Sequence, residues 1–434
     1  MAPDSERTLA AQAGERAGGF VRLQGWTHRI RRVGAVNFIL LRDRSGIIQV
    51  VVESTDPAAA VLAKLGTEDV VEVTGTVRAE PAAPGGYELR AASLRRIAPA
   101  APLPFEINLP KLKVRQELAL DHRVLSLRHP RGQAVFRIKA ALIDAFRRFS
   151  RQQGFIEVQT PKIVATATEG GANLFPVDYL GRPAYLAQSP QFYKQMLVLA
   201  GFERVYEVGP VYRAEPHHTS RHVNEFTSLD WEVGFIETAA EVMDLEERML
   251  RGLVETVSAD CRHELDLLGV DLARALPAGP IPRLPLAEAK RLLADERGVA
   301  GPPGDLDPEG ERLLCELLGG PVFVTDWPVA SRPAYTQPWP DRPELTDSFD
   351  LLLGGVEVTT GGRRIADPAA LRQSLVERGL EPERFEFYLE GFSYGAPPHG
   401  GLAIGAERLT AALLGLANLR EATFFPRDVN RLTP

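Results

Sequence analysis

Cysteine is scarce in this sequence, which has only Cys261 and Cys315 among its 434 residues. Two cysteines this far apart build neither a disulfide framework nor a cysteine-rich zinc site, so we expect reduced thiols and a cytoplasmic location. Long apolar runs are also missing. No stretch of about 18 apolar residues occurs, and the N-terminus is polar, so we expect neither a membrane-spanning helix nor a secretory leader.

Lysine is the next scarce residue, since only seven of the 50 basic residues are lysines. A lysine inside a motif is therefore harder to explain by composition than an arginine. The formal charge of -7 argues against non-specific coating of nucleic acid but leaves room for a local basic groove. The length predicts two or three domains, each with its own core.

The N-terminal part, residues 21–98, predicts five short strands separated by turns. Five strands in so short a segment favour a small closed barrel, and the OB-fold is a common barrel that binds nucleic acid. Any other small barrel would fit the strand pattern equally well. A proline-rich segment follows, and we place the domain boundaries at 1–98, 99–120 as a linker, and 121–434.

Residues 209–235 hold the densest group of charged and aromatic side chains. Apolar residues alternate at both ends of this stretch, which predicts two antiparallel strands joined by a long polar loop. The loop places three of the chain's eight histidines beside an arginine: His217, His218, Arg221 and His222. So basic a turn predicts an anion site, although a solvated loop with scattered charge would have the same composition.

Two further segments suit phosphate chemistry. Asp350 and Glu357 stand on either side of a Gly-Gly turn, so we expect them on facing strands of a hairpin. Two such carboxylates suit Mg²⁺ bridged to phosphates, though an exposed hairpin carries acids as readily. Near the C-terminus, Glu407 and Arg408 open a predicted helix, where an arginine and the helix dipole favour a bound phosphate.

The other segments are less specific. Residues 136–158 predict an amphipathic helix followed by a strand, which leads to Pro161. Residues 168–175, with Glu169 and two glycines, predict either a mobile lid or a plain turn. Residues 237–318 have a helical pattern without a chemical signature, and we expect them to be scaffold.

In this order, the segments resemble the three motifs of the class II aminoacyl-tRNA synthetases. The helix, strand and Pro161 resemble motif 1, a dimer element in that family. Arg213-x-Glu215, the basic loop and Phe226-x-x-x-Asp230 resemble motif 2, and GGLAIGAERL resembles motif 3. The stretch GWTHRIRRVGAVNFILLRDRSGIIQVVV is similar to the anticodon-binding domain of aspartyl-, asparaginyl- and lysyl-tRNA synthetases. The resemblance implies a multidomain α+β protein, with an N-terminal OB-fold β-barrel and a catalytic domain whose antiparallel sheet is flanked by helices.

The resemblance also implies a reaction. An amino acid and ATP, with Mg²⁺, give an aminoacyl-adenylate, which passes the amino acid to the 3′ end of tRNA. The nucleophile is a carboxylate already ionised at pH 7, so no general base is needed, and catalysis is expected from positioning and charge neutralisation. The implied catalytic residues are Arg213 and Arg408. The implied ATP-binding residues are Arg213, Glu215, Arg221, His222, Phe226, Glu357 and Arg408, and the implied metal ligands are Asp350 and Glu357.

The amino acid is expected to be aspartate, because the run QSPQFYKQ around Lys194 is similar to the aspartate-binding signature of aspartyl-tRNA synthetases. Lys194 and Arg364 are two cations that suit a carboxylate and repel lysine. A neutral amide would leave them underpaired, a mismatch of roughly 2–5 kcal/mol. The implied aspartate-binding residues are Glu169, Gln191, Lys194, Asp230 and Arg364.

Three alternatives accompany this interpretation. Asparaginyl enzymes are similar in the motif 2 loop, but their pattern continues Val-Glu-Pro-Glu where residues 228–232 here read Ser-Leu-Asp-Trp-Glu. A catalytically silent RNA-binding paralogue would be expected to lose some of the motif residues Arg213, Asp350, Glu357 and Arg408, all of which are present. A tRNA-independent amidating relative would not need the barrel.

The partners implied by the resemblance are tRNA and a second copy of the chain, paired through the Pro161 region. The compact length and the RLTP ending resemble archaeal-type aspartyl enzymes, some of which charge both tRNA-Asp and tRNA-Asn. His28 and the proline-bearing loop 80–86 are similar to those relaxed enzymes, which would need an amidotransferase, although a lone barrel histidine is more often structural. The implied anticodon contacts are His28, Arg31, Phe38, Gln49 and Glu88, and the implied acceptor-end contacts are His217 and Glu225.

Overall fold

The structure is a computed structural model that describes residues 6–167 and 173–434. The chain divides into two compact units, Met1–Arg115 and Gln116–Pro434, each with its own core.

The first unit is a closed five-stranded barrel, as the strand pattern predicts. Its strands are β1 (Phe20–Val33), β2 (Val36–Arg42), β3 (Ile47–Glu53), β4 (Val70–Ala79) and β5 (Tyr87–Ala98), with one helix, α1 (Pro57–Leu62). They are hydrogen-bonded in the order β1-β2-β3-β5-β4, and the barrel closes where β4 pairs with β1. Alternate residues point inward, and Ile39, Val50, Val73 and Leu89 are completely buried in the barrel core.

The second unit is built on an eight-stranded sheet, in the order β12-β13-β14-β15-β16-β11-β10-β6, beside a small sheet in the order β7-β9-β8. Its strands are β6 (Ile156–Glu157), β7 (Ile163–Val164), β8 (Pro176–Tyr179), β9 (Arg182–Leu186), β10 (Arg204–Tyr212), β11 (Glu225–Gly234), β12 (Arg283–Pro285), β13 (Val322–Thr325), β14 (Ser348–Leu353), β15 (Val356–Arg363) and β16 (His399–Gly405). The central strands β13, β14, β15, β16, β11 and β10 are antiparallel, whereas the edge strands β12 and β6 pair in parallel.

The helices of the second unit surround this sheet. They are α2 (Gln116–Asp121), α3 (Arg123–Ser126), α4 (Pro130–Gln152), α5 (Gln191–Leu197), α6 (Ala239–Asp260), α7 (Arg262–Leu268), α8 (Leu272–Ala275), α9 (Leu286–Arg297), α10 (Pro308–Leu318), α11 (Pro368–Glu377), α12 (Glu386–Phe392) and α13 (Ala406–Leu414). Short helical turns lie at Val198–Phe202, Val329–Ser331, Pro382–Phe385 and Leu419–Ala422 in this unit, and at Ala10–Arg16 and Pro84–Gly86 in the first unit. Helix α6 begins with a capping box, in which Thr238 and Glu241 satisfy each other's backbone amides.

One face of β11 anchors the core of this unit. Trp231 is fully buried, and its ring stacks on those of Phe146 and Phe155, each with a centroid separation of 5.2 Å. Its indole nitrogen donates to Ser150 Oγ at 2.8 Å. Side chains alternate along a strand, so Ser228, Asp230 and Glu232 point to the opposite face. The core packing of Trp231 therefore determines which β11 residues reach the other side of the sheet.

The hairpin of β14 and β15 turns at Gly354 and Gly355, whose φ angles are 62° and 79°. Positive φ at both central residues belongs to the type I′ turn and explains the Gly-Gly pair. Cys261 and Cys315 are buried free thiols, as expected. Among residues 6–167 and 173–434, no helix has both the length and the apolar character needed to cross a membrane.

Candidate active site

A cavity of about 490 Å³ opens on the face of the eight-stranded sheet that carries Ser228. Its floor includes residues of β10, β11, β15 and β16. The expected site residues that line it are Gln191, Arg213, Glu215, Arg221, His222, Phe226, Glu357, Arg364 and Arg408. Segments that are distant in sequence thus converge on one cavity.

The basic loop between β10 and β11 is held by Asn224. The backbone amide of Arg213 donates to the carbonyl of Asn224 at 2.9 Å, and Asn224 Nδ2 donates to the carbonyls of Arg213 and Glu215 at 2.7 and 3.1 Å. The Arg213 guanidinium lies 5.5 Å from the Phe226 ring centroid. Within the described chain, its Nε is buried and has no hydrogen-bond partner. Such a donor at a cavity wall suits an anionic ligand.

His222 and Glu215 form a second contact across the same loop. His222 Nε2 lies 3.7 Å from Glu215 Oε2, and Nδ1 lies 2.6 Å from Thr219 Oγ1. Burial lowers the pKa of His222, against the opposing charge of Glu215. The imidazole is therefore mainly neutral at pH 7, and it offers hydrogen bonds more than charge.

Two of the cavity residues, Arg221 and Glu357, contact a carboxylate that the sequence did not single out. Arg408 Nη1 donates to the carbonyl of Glu357 at 3.1 Å and lies 3.7 Å from its Oε1. Glu311, on α10, accepts from the Arg221 guanidinium and from the backbone amide of Glu357, the latter at 3.1 Å. Arg221 and Arg408, both expected to bind ATP, are thus linked through Glu311 and the strand that carries Glu357.

The expected amino-acid pocket contains a buried group of four charges. Lys194 Nζ lies 3.1 Å from Asp230 Oδ1 and 3.4 Å from Glu232 Oε2. Arg364 Nε donates to Glu232 Oε1 at 2.9 Å. Gln191, one helical turn before Lys194, donates to Glu232 Oε2 at 3.4 Å. Lys194 and Arg364 are therefore on the same side of the molecule and share one carboxylate.

The charges of this group are balanced. The sequence alone had predicted two cations, Lys194 and Arg364, without carboxylate partners in the protein. Lys194 and Arg364 face Asp230 and Glu232, so the four formal charges sum to zero. Burial alone would raise the pKa of Glu232, but Arg364 and Lys194 outweigh burial and lower that pKa. Asp230 Oδ2 is buried without a hydrogen-bond partner within the described residues. The group therefore contains an unsatisfied acceptor beside two cations, and of its four charged residues Arg364 is the one that lines the cavity.

The two expected metal ligands lie on neighbouring strands, as predicted. Glu357 lines the cavity, whereas Asp350 is buried and its carboxylate is bound by Arg332 at 2.9 and 2.8 Å. Burial raises the pKa of Asp350 to about 6, and the charge of Glu357 adds to that shift. Two mutually repelling carboxylates fit a shared cation. Across the described residues, no cluster of three or more histidine, cysteine or acidic side chains forms a complete metal cage, so phosphates would have to supply further ligands.

Five of the expected residues do not line this cavity, and three of them, Lys194, Asp230 and Asp350, are buried. His217 and Glu225 are exposed, and neither lines it. Glu169 lies outside the described residues.

In the barrel, four of the expected anticodon residues share one outer face. Arg31 pairs with Phe38 across β1 and β2, and Gln49 pairs with Glu88 across β3 and β5. Gln49 Nε2 donates to Glu88 Oε2 at 3.0 Å. Glu88 is buried on this face, and His28 is buried elsewhere, where its Nδ1 lies 2.9 Å from Arg42 Nη1. Because Arg42 in turn pairs with buried Glu68 at 2.7 Å, the His28 ring belongs to a packed polar network.

Sequence reasoning missed four residues that hold the site together: Asn224, Glu232, Glu311 and Arg332. Only Glu232 had a usable signal, because it lies two residues after Asp230 on a predicted strand and must share its face. Glu311 pairs with Arg221, 90 positions away, whereas Asn224 and Arg332 bind residues 9 to 18 positions away across a loop whose folded path a local pattern does not reveal.

Comparison with known proteins identifies the family to which these two units belong. The family profile described as tRNA synthetases class II (D, K and N) matches residues 115–429, and that of the OB-fold nucleic acid binding domain matches residues 21–97. A protein of Deinococcus radiodurans named aspartate–tRNA(Asp/Asn) ligase is 47% identical over 100% of both chains. A protein of Archaeoglobus fulgidus with the same name is 46% identical over 97% of this chain and 98% of the relative.

A solved structure is also similar over the full length. The asparaginyl-tRNA synthetase of Pyrococcus horikoshii, complexed with asparaginyl-adenylate, superimposes with a TM-score of 0.94 at 34% identity, over 99% of this chain and 100% of that chain. The predicted fold, an OB-fold barrel joined to a class II catalytic domain, is confirmed. The chain belongs to the class II aminoacyl-tRNA synthetases, in the family that comprises the aspartate, lysine and asparagine enzymes.

Proposed function

We propose that this chain is an aspartate–tRNA ligase, which activates L-aspartate with ATP and transfers it to tRNA. The observation that carries the proposal is the buried group in which Lys194 and Arg364 share Glu232 beside the cavity. The two relatives named as aspartate–tRNA(Asp/Asn) ligases are 46–47% identical over nearly the whole chain, against 34% for the solved asparaginyl enzyme. Both observations favour aspartate over asparagine.

The balanced pocket selects its amino acid by charge. Aspartate brings an ammonium group for Asp230 Oδ2 and a side-chain carboxylate for Lys194 and Arg364, so the sum of charges in the pocket stays at zero. Asparagine lacks the side-chain carboxylate and leaves one excess positive charge in a buried site, whereas the α-carboxylate that both amino acids carry faces Arg213. Such a mismatch costs roughly 2–5 kcal/mol. Lysine adds a further cation and is excluded more strongly.

Adenylate formation then depends on Arg213. Its buried Nε has no hydrogen-bond partner within the described residues, and its planar fork can bind the α-phosphate and the attacking α-carboxylate together. Phe226, beside Arg213, stacks on adenine, and Glu215 holds the base edge. The carboxylate attacks in line, and neutralisation of charge on the α-phosphate lowers the barrier.

The pyrophosphate half of ATP lies at the other end of the cavity, near Arg221, His222 and Arg408. Mg²⁺ supplies positive charge that orients the β- and γ-phosphates when it is bound. Glu357 and Asp350 would hold the ion. Arg332 pairs with both carboxylate oxygens of Asp350, so this acid would bind the ion only where Arg332 gives up one of them.

The barrel reads the anticodon. Phe38 offers a ring on which an unpaired base stacks, Gln49 and Glu88 offer hydrogen bonds to a base edge, and Arg31 offers a cation for phosphate or base. His217 and Glu225 are exposed and available to the acceptor end. We place the reaction in the cytoplasm, where charged tRNA serves protein synthesis.

Relaxed tRNA choice, with both tRNA-Asp and tRNA-Asn as substrates, is part of the proposal. Its support is the Asp/Asn naming of the relatives, together with the proline-bearing loop 80–86. Aspartyl-tRNA-Asn is a mischarged product, so a relaxed enzyme needs an amidotransferase to convert it.

The active form is a homodimer paired through the Pro161 region. Ile156 and Ile163, on either side of Pro161, are each 48% exposed, and β6 is an edge strand of the main sheet. An exposed apolar pair beside an open strand edge suits an isologous contact between two copies.

The test is aminoacylation of tRNA-Asp and tRNA-Asn transcripts by the purified chain, with radiolabelled aspartate, ATP and Mg²⁺. We expect charging of both transcripts at comparable rates and none of a tRNA-Lys control. Preference for tRNA-Asp above about a thousandfold would rule out relaxed choice and leave the ligase assignment intact. Charging with asparagine in place of aspartate would overturn the assignment.

A further inference from the structure

Glu311 lies in the helical segment between the second and third motifs, which the sequence pattern marked only as scaffold. It is in the first turn of α10, and the residue is 9% exposed. Oε2 accepts from the Arg221 guanidinium and from the backbone amide of Glu357 at 3.1 Å. One oxygen therefore joins the basic loop to strand β15.

The contact extends to the third motif. The backbone carbonyl of Glu357 accepts a hydrogen bond from Arg408 Nη1 at 3.1 Å. The side-chain Oε1 of Glu357 accepts one from Thr360 Oγ1 at 3.0 Å. Glu311 and Arg408 are thus both bonded to Glu357 of β15, and Arg221 is connected to it through Glu311, in the part of the cavity assigned to pyrophosphate. Without Glu311, Arg221 would lose the ion pair that ties its loop to the helix α10.

Arg221 needs such a tie because it lies in the long loop between β10 and β11. A free arginine carries about 2 kcal/mol of side-chain entropy, which binding must overcome. A carboxylate on a helix holds the Arg221 side chain in one orientation before the ligand binds, so less side-chain entropy is lost on binding. Rigid elements hold functional groups better than loops do. The ion pair uses Nη2, and the guanidinium has further N–H donors for a ligand. Burial raises the pKa of Glu311, whereas Arg221 opposes that shift.

We propose that Glu311 is a positioning residue for the pyrophosphate half of ATP, and that it acts by orienting Arg221 at the cavity wall. It controls affinity for ATP and pyrophosphate and leaves affinity for the amino acid unchanged. The inference rests on the proposed function, since that assigns this end of the cavity to the β- and γ-phosphates.

The first test compares Glu311→Gln with Glu309→Gln. The glutamine side chain would keep an oxygen for the Glu357 amide and remove the charge that Arg221 pairs with. Glu309 is an exposed acid in the same first turn of α10 and serves as the matched control. In ATP–pyrophosphate exchange, we expect Glu311→Gln to raise KM for ATP and for pyrophosphate about tenfold, with KM for aspartate unchanged. Glu309→Gln should behave as wild type.

The second test asks whether the effect passes through Arg221. In an Arg221→Ala background, Glu311→Gln should cause no further rise in KM for ATP. An unchanged KM for pyrophosphate in Glu311→Gln would overturn the inference. So would a full effect that persists without Arg221, or an equal rise in KM for aspartate, because either result indicates a general loss of structure.

Calorimetry with AMP and with a non-hydrolysable ATP analogue gives a readout that does not depend on aminoacylation. Glu311→Gln should raise the Kd of the ATP analogue about tenfold and leave the Kd of AMP unchanged. Equal weakening of both ligands would contradict the inference, even in a chain that activates aspartate normally. Absence of aspartate-dependent exchange in the wild type would instead contradict the proposed function.

Discussion

Replacing Lys194 with methionine removes the ammonium group and keeps a side chain of similar length. In the structure, Nζ lies 3.1 Å from Asp230 Oδ1 and 3.4 Å from Glu232 Oε2, and it donates to the carbonyl of Leu402 at 3.0 Å. The variant leaves two buried carboxylates facing one cation, Arg364. Removing one partner of a buried ion pair costs ~3–5 kcal/mol, so a lower melting temperature is expected.

The effect on aspartate follows from the same charges. A pocket that sums to zero becomes negative by one charge and repels the substrate's side-chain carboxylate. A loss of roughly 2–5 kcal/mol corresponds to about a 30- to 5,000-fold fall in kcat/KM for aspartate. The nucleotide contacts do not include Lys194, so the affinity for ATP should stay unchanged.

The assay is aspartate-dependent ATP–pyrophosphate exchange, with ATP affinity measured separately by calorimetry. Arg251→Met is the control, because Arg251 on α6 binds Glu247 and the carbonyl of Pro277, outside the cavity. It should lose stability but keep kcat/KM for aspartate within about twofold. A folded Lys194→Met variant with exchange within about threefold of wild type would refute the pocket assignment.

Three further predictions concern the reaction, the core and the dimer. Arg213→Ala should lower kcat for exchange by about 10²–10³, as loss of a transition-state donor does, and a smaller effect in single-turnover kinetics would argue against its role. Burial raises the pKa of Glu246 to about 8. Because this folded-state pKa exceeds the unfolded one, stability should fall as the pH rises from about 4.5 to 8, and Glu246→Gln should remove that fall in urea titrations. In sedimentation experiments, we expect the wild type to form the proposed dimer and Ile163→Asp to be monomeric, whereas a dimer that persists in the variant would exclude this interface.

Local patterns in the sequence predicted much of the fold. Alternation of apolar residues gave the barrel strands, and the Gly354-Gly355 pair gave the hairpin turn, because both depend on neighbours in sequence. The order of the three motifs predicted the family, which the comparisons confirm. The roles of individual site residues stay predictions.

The charge balance of the pocket was beyond the reach of local patterns. Arg364 and Glu232 are 132 positions apart, and Arg221 and Glu311 are 90 apart. Only the folded sheet shows that Arg364 already has a carboxylate partner, which changes the physical argument from two free cations to a balanced group. Helix periodicity likewise placed Glu311 on a helix but gave no sign that its carboxylate faces the basic loop.

The central claim is that the Lys194, Arg364, Asp230 and Glu232 group recognises a carboxylate side chain. The most direct measurement is the ratio of kcat/KM for aspartate to that for asparagine in ATP–pyrophosphate exchange by the wild-type chain. Because asparagine would leave one buried positive charge unpaired, at a cost of at least about 2 kcal/mol, this ratio should be at least about 30 in favour of aspartate. Equal exchange with the two amino acids, or a preference for asparagine, would contradict it.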